Sequence, residues 1–315
     1  MKNNIKIVFI GTPGAAAECL DILVRKKMNI VGVFTRPDRS VKRSAKPVPP
    51  PVKKTALKYG LKLFQPEKIS TESSINLLKG LSPDLIVVVA FGEIFKKEVL
   101  DIPPMGCINL HFSLLPRFRG AAPVQWAVIS GVSKTGVTVF FLNEALDGGD
   151  VIMKKELDVL PSDTAGTLVE RLSKIGGDVL AESIGKIAGG KFERIPQDKE
   201  GLSMAPKLRK EDGRIDWNKS AFETECFVRG VYPWPGAFAF FARSGKRVMI
   251  KIHKVKVSGS KAGKPGEVME CLDKLVVSCG KGAVEIIEVQ PEGKGRISAV
   301  DFINGYHLKQ GNCFD

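Results

Sequence analysis

Residues 106–120 read Gly106-Cys-Ile-Asn109-Leu-His111-Phe-Ser113-Leu-Leu-Pro116-Arg-Phe-Arg119-Gly120. Cys107, Ile108 and Leu110 alternate with polar neighbours before a Leu-Leu-Pro break, which predicts a short buried strand with Asn109 and His111 on one face at its carboxyl end. Just upstream, Asp84-Leu-Ile-Val-Val-Val-Ala90 is almost wholly apolar, the pattern of a central parallel strand covered on both sides. Strands of that kind belong to open α/β sheets, whose sites lie at the carboxyl ends of the strands.

The same residues suggest chemistry. An amide beside an imidazole can stabilise the oxyanion of an acyl-transfer reaction. A carboxylate to orient the histidine is then expected, and Asp147 is the best placed. It follows a strand-like run, Gly136-Val-Thr-Val-Phe-Phe-Leu142, and precedes two glycines that permit a tight turn and close approach to a ligand.

Working outward, residues 5–10 form a first strand ending at Gly11-Thr-Pro-Gly14, with Ala17, Leu20, Leu23 and Val24 at helical spacing behind it. This is not a dinucleotide fingerprint: the G-x-G-x-x-G glycines are missing and Pro13 stands where the backbone should approach a pyrophosphate. A nicotinamide-dependent oxidoreductase is therefore a weak alternative. A second strand, 30–34, leads to a basic stretch carrying Arg36, Arg39, Lys42, Arg43 and Lys46 and closed by prolines, the composition of an exposed loop. Further strands are expected at 61–64 and 151–159, with helices at 52–59, 121–130 and 164–187.

The alternation predicts a doubly wound, Rossmann-like domain over residues 1–189. Residues 190–216 are polar and basic, as a linker should be, and Lys207, Arg209 and Lys210 could also follow a phosphate backbone. From 217 to 315 strand patterns dominate, at 237–241, 247–257, 275–278 and 283–289, and a small β-barrel is their natural closure.

The chain has 315 residues, 43% of them hydrophobic, enough for two cores. Forty-eight basic residues against 34 acidic ones give a formal charge of +14, which points to an anionic partner such as nucleic acid. Six scattered cysteines show neither a disulfide framework nor zinc-site spacing, and a reducing cytoplasm is expected. No apolar run approaches the roughly 18 residues of a membrane span, and the amino terminus only superficially imitates a secretory signal, since Lys6 interrupts it.

Asn109-x-His111-x-Ser113-Leu114-Leu115-Pro116, then Arg119-Gly120-Ala-Ala-Pro123 and Leu146-Asp147-Gly-Gly-Asp150, resemble the signature of the 10-formyltetrahydrofolate-dependent formyltransferases. The resemblance is strongest to the members that act on Met-tRNA. It extends to Ala205-Pro-Lys-Leu-Arg-Lys-Glu-Asp-Gly-Arg-Ile-Asp-Trp217, which is similar to the family's interdomain motif. It implies that Asn109, His111 and Asp147 are catalytic, that Ser113, Leu114, Leu115, Pro116, Phe91 and Gly92 meet the folate, and that an OB-like second domain holds the tRNA. The partners implied are initiator Met-tRNA and 10-formyltetrahydrofolate, for a monomeric enzyme of translation initiation with no metal in its site. The basic loop is similar to a family insertion that engages the tRNA acceptor end, with Arg43 matching its key arginine, although Lys42 and Ser44 replace its flanking glycines. A formyltransferase of a small amine, such as a nucleotide sugar or glycinamide ribonucleotide, and a non-catalytic RNA-binding protein are the alternatives. The basic loop, the basic linker and the expected barrel weigh against the first, and the intact Asn109, His111 and Asp147 against the second.

Overall fold

The computed structural model describes residues 5–39, 47–243, 246–260 and 263–315. Contacts divide the chain into two compact units: residues 1–123, 134–158 and 169–206 in the first, and residues 124–133, 159–168 and 207–315 in the second. The stretch expected as a linker is thus split, its part up to Pro206 packing with the first unit.

The first unit begins β1 (Ile7–Gly11), α1 (Gly14–Arg25), β2 (Ile30–Phe34), α2 (Pro51–Lys58), β3 (Leu63–Phe64), α3 (Glu72–Leu81), β4 (Leu85–Val89), α4 (Lys97–Leu100) and β5 (Cys107–His111). After α5 (Pro123–Ile129) come β6 (Lys134–Phe141), β7 (Val151–Asp158) and the long α6 (Ala165–Ala188), whose first turn falls in the second unit. Seven strands form one sheet in the order β3-β2-β1-β4-β5-β6-β7. The order reverses between β1 and β4, which creates a crevice at their carboxyl ends. β1 and β4 are buried along their whole length, as their unbroken apolar sequence requires. On one side Val8, Ile10, Ile86, Val88 and Cys107 pack with Leu78 of α3 and Val99 of α4. On the other, Leu110 lies against Gly176 of α6, and Ile22 of α1 lies against Gly177.

β1 to β5 are parallel, but β6 runs antiparallel to β5, and β7 antiparallel to β6. This direction was not legible in the apolar pattern and it matters for the site. Phe141, at the carboxyl end of β6, pairs with Ile108 near the start of β5, while His111 pairs with Thr138. The 142–150 loop therefore leaves the sheet at the wrong end of β5 and has to run back by three residues, about 10 Å at the usual strand rise.

The second unit holds α7 (Ala221–Gly230), β8 (Ala237–Arg243), β9 (Lys246–Ser258), β10 (Val268–Cys271), β11 (Leu275–Ser278), β12 (Ala283–Pro291), β13 (Ile297–Ser298) and α8 (Ala299–Tyr306). α7 opens with a capping box: Ser220 accepts from the Glu223 backbone, and the Glu223 carboxylate accepts from the Ser220 N–H. The antiparallel order is β10-β11-β12-β9-β8. Residues 312–315 then lie between the two ends: Phe314 bridges Phe241 of β8, Cys313 bridges Glu267, and Val268 of β10 donates to the Asn312 carbonyl at 2.7 Å. The sheet so becomes the expected small barrel, closed by a segment with no strand pattern of its own. Among the described residues no helix is long and apolar enough to cross a membrane.

Phe314 is 3% exposed and its ring meets Trp217, Phe241 and Phe302. Phe314→Ala removes the aromatic wedge at the seam and should cost the second unit about 3–5 kcal/mol in denaturant unfolding. A loss under about 1 kcal/mol would mean that the seam carries little of the barrel's stability.

Candidate active site

Asn109 and His111 sit two residues apart on the face of β5 that also carries Cys107. His111 is 5% exposed. Its Nε2 lies 2.8 Å from the Phe118 carbonyl oxygen, which can only accept, so this nitrogen carries a hydrogen and donates it. The other nitrogen, Nδ1, faces Asp147 Oδ2 at 3.7 Å. The same carboxylate oxygen accepts from the Gly120 backbone N–H at 2.8 Å. Asn109 is half-buried, and among the described residues its side-chain amide has no protein hydrogen-bond partner.

Burial pulls the His111 pKa below its ordinary 6.5, and the nearby Arg119 cation adds to this, while Asp147 and the Phe118 carbonyl oppose it. Desolvation is the largest influence, so the resting imidazole is neutral at physiological pH, not permanently charged. Its Nδ1 then offers a lone pair towards Asp147, a position where one added proton would be shared by both groups.

Backbone strain gathers here. Ala90, Phe118 and Asp147 have φ of +47°, +59° and +47°, the left-handed region that non-glycine residues seldom enter. Gly149 is the position that the fold-back most requires: a Cβ there would overlap the Phe141 carbonyl oxygen.

The other candidate residues take varied positions. The Ser113 side chain is wholly buried and donates to the Arg117 carbonyl at 2.6 Å. Leu115 packs with Phe140 and Val151, and its backbone N–H donates to the Thr138 hydroxyl. Leu114 and Pro116 remain half-buried. Phe91 is core, 6% exposed, under the Arg36 guanidinium at 4.5 Å; the 91–92 segment can meet a ligand through its backbone, with open space above Gly92. Arg36, expected to contact phosphates, is committed inside the fold: it pairs with Glu93 at 3.1 Å and donates to the Glu67 carbonyl at 2.6 Å. Arg39 is exposed, its backbone bridged to Val48. Lys207, Arg209 and Lys210 are exposed and, among the described residues, have no ion-pair partner, whereas Leu208 between them is buried. Lys42 and Arg43 lie outside the described residues.

Two features had no signal in the sequence. The Thr138 hydroxyl donates to Ser113 O and accepts from Leu115, fixing the start of the loop after β5. Residues 203–205 zip along that loop: Phe118 N–H donates to Ser203 Oγ, Arg119 N–H to Ser203 O, and Ala205 N–H to Arg119 O.

The comparisons with known proteins agree over both units. Residues 5–184 match the family described as Formyl transferase, and residues 207–307 match its C-terminal domain. The chain belongs to the formyltransferase family. It is 42% identical over 309 residues to the methionyl-tRNA formyltransferase of Citrifermentans bemidjiense, covering 98% of this chain and 96% of that one. With the enzyme of the same name from Geotalea daltonii it shares 43% over 308 residues, 98% and 97% of the two chains. Among solved structures, the N-formyltransferase from Helicobacter canadensis, in complex with folinic acid and dTDP-3-aminofucose, superposes with a TM-score of 0.64 at 18% identity, covering 90% of this chain and 98% of that one. At that identity the likeness concerns the fold alone.

A histidine whose pKa is depressed in the folded state stabilises the fold fully above the unfolded value, near pH 6.5, and loses that contribution as the pH falls through the folded value. The stability advantage of the parent protein over His111→Gln should therefore shrink from pH 7 to pH 5 in denaturant unfolding. His253, also depressed chiefly by burial, is common to both proteins and cancels. An advantage constant across that range would contradict the assignment.

Proposed function

We propose that this chain transfers the formyl group of 10-formyltetrahydrofolate to the amino group of the methionine carried by initiator Met-tRNA. The observation that carries the reading is an asparagine amide with no protein partner among the described residues, beside an imidazole–carboxylate pair at 3.7 Å, in a chain 42% identical to a methionyl-tRNA formyltransferase. The site suits a folate. It offers a free amide donor, open backbone at Gly92, and exposed apolar side chains at Ile94 and Leu146 next to the turns that carry Gly92 and Asp147.

When bound, 10-formyltetrahydrofolate supplies a formyl carbon activated by its bond to N10. The chain's own residues then have three tasks. Asn109 donates to the formyl oxygen as negative charge builds there, a contribution that matters most in the transition state. Asp147, its carboxylate aimed by the Gly120 N–H, receives the proton that the attacking amine gives up, directly or through a water molecule. His111 shares that proton through Nδ1 while its Nε2 stays tied to Phe118, so the imidazole cannot swing away as charge shifts. In balance, the N10–carbon bond breaks, the methionine nitrogen–carbon bond forms, and the amine proton ends on N10.

For the tRNA, the excess of 14 positive charges and the exposed Lys207, Arg209 and Lys210, without ion-pair partners among the described residues, support a phosphate-binding role, which would make affinity salt-dependent. Arg39 belongs with this group, and so do Lys42 and Arg43, which lie outside the described residues. Arg36 does not, because its guanidinium already holds Glu93 and Glu67. The reading places the enzyme in the cytoplasm, acting as a monomer.

The decisive assay supplies 10-formyltetrahydrofolate with initiator Met-tRNA, elongator Met-tRNA or an amino-sugar nucleotide and follows formylated amine. Transfer to the sugar nucleotide alone would replace this reading by the small-amine one. Asp147→Asn should lower kcat by about 10²–10⁴, and Asn109→Ala by about 10²–10³; wild-type turnover in either would remove that residue from the mechanism. Replacing Lys207, Arg209 and Lys210 together by alanine should raise the KM for tRNA and flatten its logarithmic salt dependence by roughly 0.7–0.9 for each phosphate that is no longer neutralised. An unchanged slope would exclude these three residues from the interface.

A further inference from the structure

From residue 193 to residue 200 every residue is exposed except one, Gln197. Its side-chain nitrogen donates to the carbonyl oxygens of Asp147 and Gly149, both at 2.8 Å. Its side-chain oxygen accepts from Arg119 Nη2 at 2.6 Å and Nε at 3.1 Å. Carbonyls only accept and a guanidinium only donates, so a single amide orientation satisfies all four hydrogen bonds.

These bonds fall where the fold leaves a gap. Once Leu142 has donated to the Cys107 carbonyl of β5, the 142–150 loop runs back without further ladder hydrogen bonds until Asp150, whose carbonyl accepts from Phe141. Within it Asp147 holds a left-handed backbone, which persists only where its surroundings fix it. The Gly120 N–H fixes the Asp147 carboxylate; Gln197 fixes the Asp147 main chain. Arg119 is also in reach of the site, since a Cβ on Gly148 would touch its guanidinium at 3.3 Å and its charge acts on His111. Neutral Gln197 keeps this cation bound away from the Asp147 carboxylate without adding a negative charge of its own.

We propose that Gln197 is a positioning residue for the formyl-transfer reaction, holding the Asp147 main chain with its amide nitrogen and the Arg119 guanidinium with its oxygen. The inference rests on the function proposed above, and its test separates the two. Gln197→Leu removes all four hydrogen bonds at similar volume. Gln197→Glu keeps an acceptor for Arg119 but turns an oxygen towards two carbonyl oxygens and adds a negative charge, so for this variant the loss in kcat, not the direction of the His111 midpoint, reports the hold on Asp147.

Both variants should lose about 10- to 100-fold in kcat, the scale of a misplacement near 1 Å, with KM for both substrates changed less than about threefold. The chain has only three histidines, His111, His253 and His307. In protein labelled with 13C at histidine Cε1, the His111 titration midpoint, lowered chiefly by burial and acted on also by Asp147 and Arg119, should move by about half a unit or more in both variants. The midpoint of His253 should stay in place. A general loss of packing would not single out His111, and should Gln197→Leu fail to fold, the kcat of Gln197→Glu carries the test alone. Turnover within about twofold of the parent, or an unmoved His111 midpoint in a folded variant, would overturn the proposal. If the parent transfers no formyl group to Met-tRNA, the functional reading fails, and the His111 midpoint in Gln197→Leu still decides whether Gln197 positions Asp147.

Discussion

One carboxylate oxygen organises this site. Asp147 Oδ2 accepts from the Gly120 backbone at 2.8 Å and faces His111 Nδ1 at 3.7 Å, so the loop after β5, the loop after β6 and the imidazole on β5 meet at a single atom. The far side of the imidazole is closed by the Phe118 carbonyl, which belongs to the same 113–122 loop as Gly120. The arrangement is closed on itself, and desolvation sets its charge: with water excluded, the imidazole gives up its proton more readily than in solution. What remains for a ligand is the asparagine amide, which among the described residues has no hydrogen-bond partner.

Much of this was legible in the amino-acid sequence because it rests on local rules. Alternation placed Asn109 and His111 on one face, and unbroken apolar runs announced β1 and β4. Two glycines after Asp147 announced a tight turn, and Gly149 proves to be where a side chain would strike the Phe141 carbonyl. The remainder depends on pairings between distant segments, which leave no periodic trace. Nothing in Lys134–Phe141 says that the strand runs antiparallel to β5, since its residues are buried along almost the whole length either way. Gln197 and Ser203 look like ordinary polar residues of a linker. Arg36 reads as a loop cation, but a guanidinium with Glu93 and the Glu67 carbonyl in reach satisfies its donors inside the fold. Val268–Cys271, β13 and α8 were likewise unmarked, and the barrel is sealed by residues 312–315, whose Asn-Cys-Phe-Asp sequence has no strand alternation.

The cysteines show how burial and reactivity separate. Cys107 lies beside the site on the same face of β5 as Asn109, yet burial pushes its thiol up to about 12, and it packs among Val8, Ile86 and Val99. It contributes volume, not nucleophilicity. Chemistry at this strand end is left to groups that exchange protons and hydrogen bonds, as the transfer of a carbonyl group already activated by its donor requires.

The 142–150 loop has one more implication. Strand pairing of β5, β6 and β7 ends at Phe141 and resumes at Val151, and neither ladder depends on how many residues lie between. The exposed run from Asn143 to Leu146 is thus a spacer whose length sets how far along β5 the acid arrives. Gaining or dropping a residue there would slide the carboxylate relative to its histidine, with Gly120 and Gln197 no longer aligned to hold it.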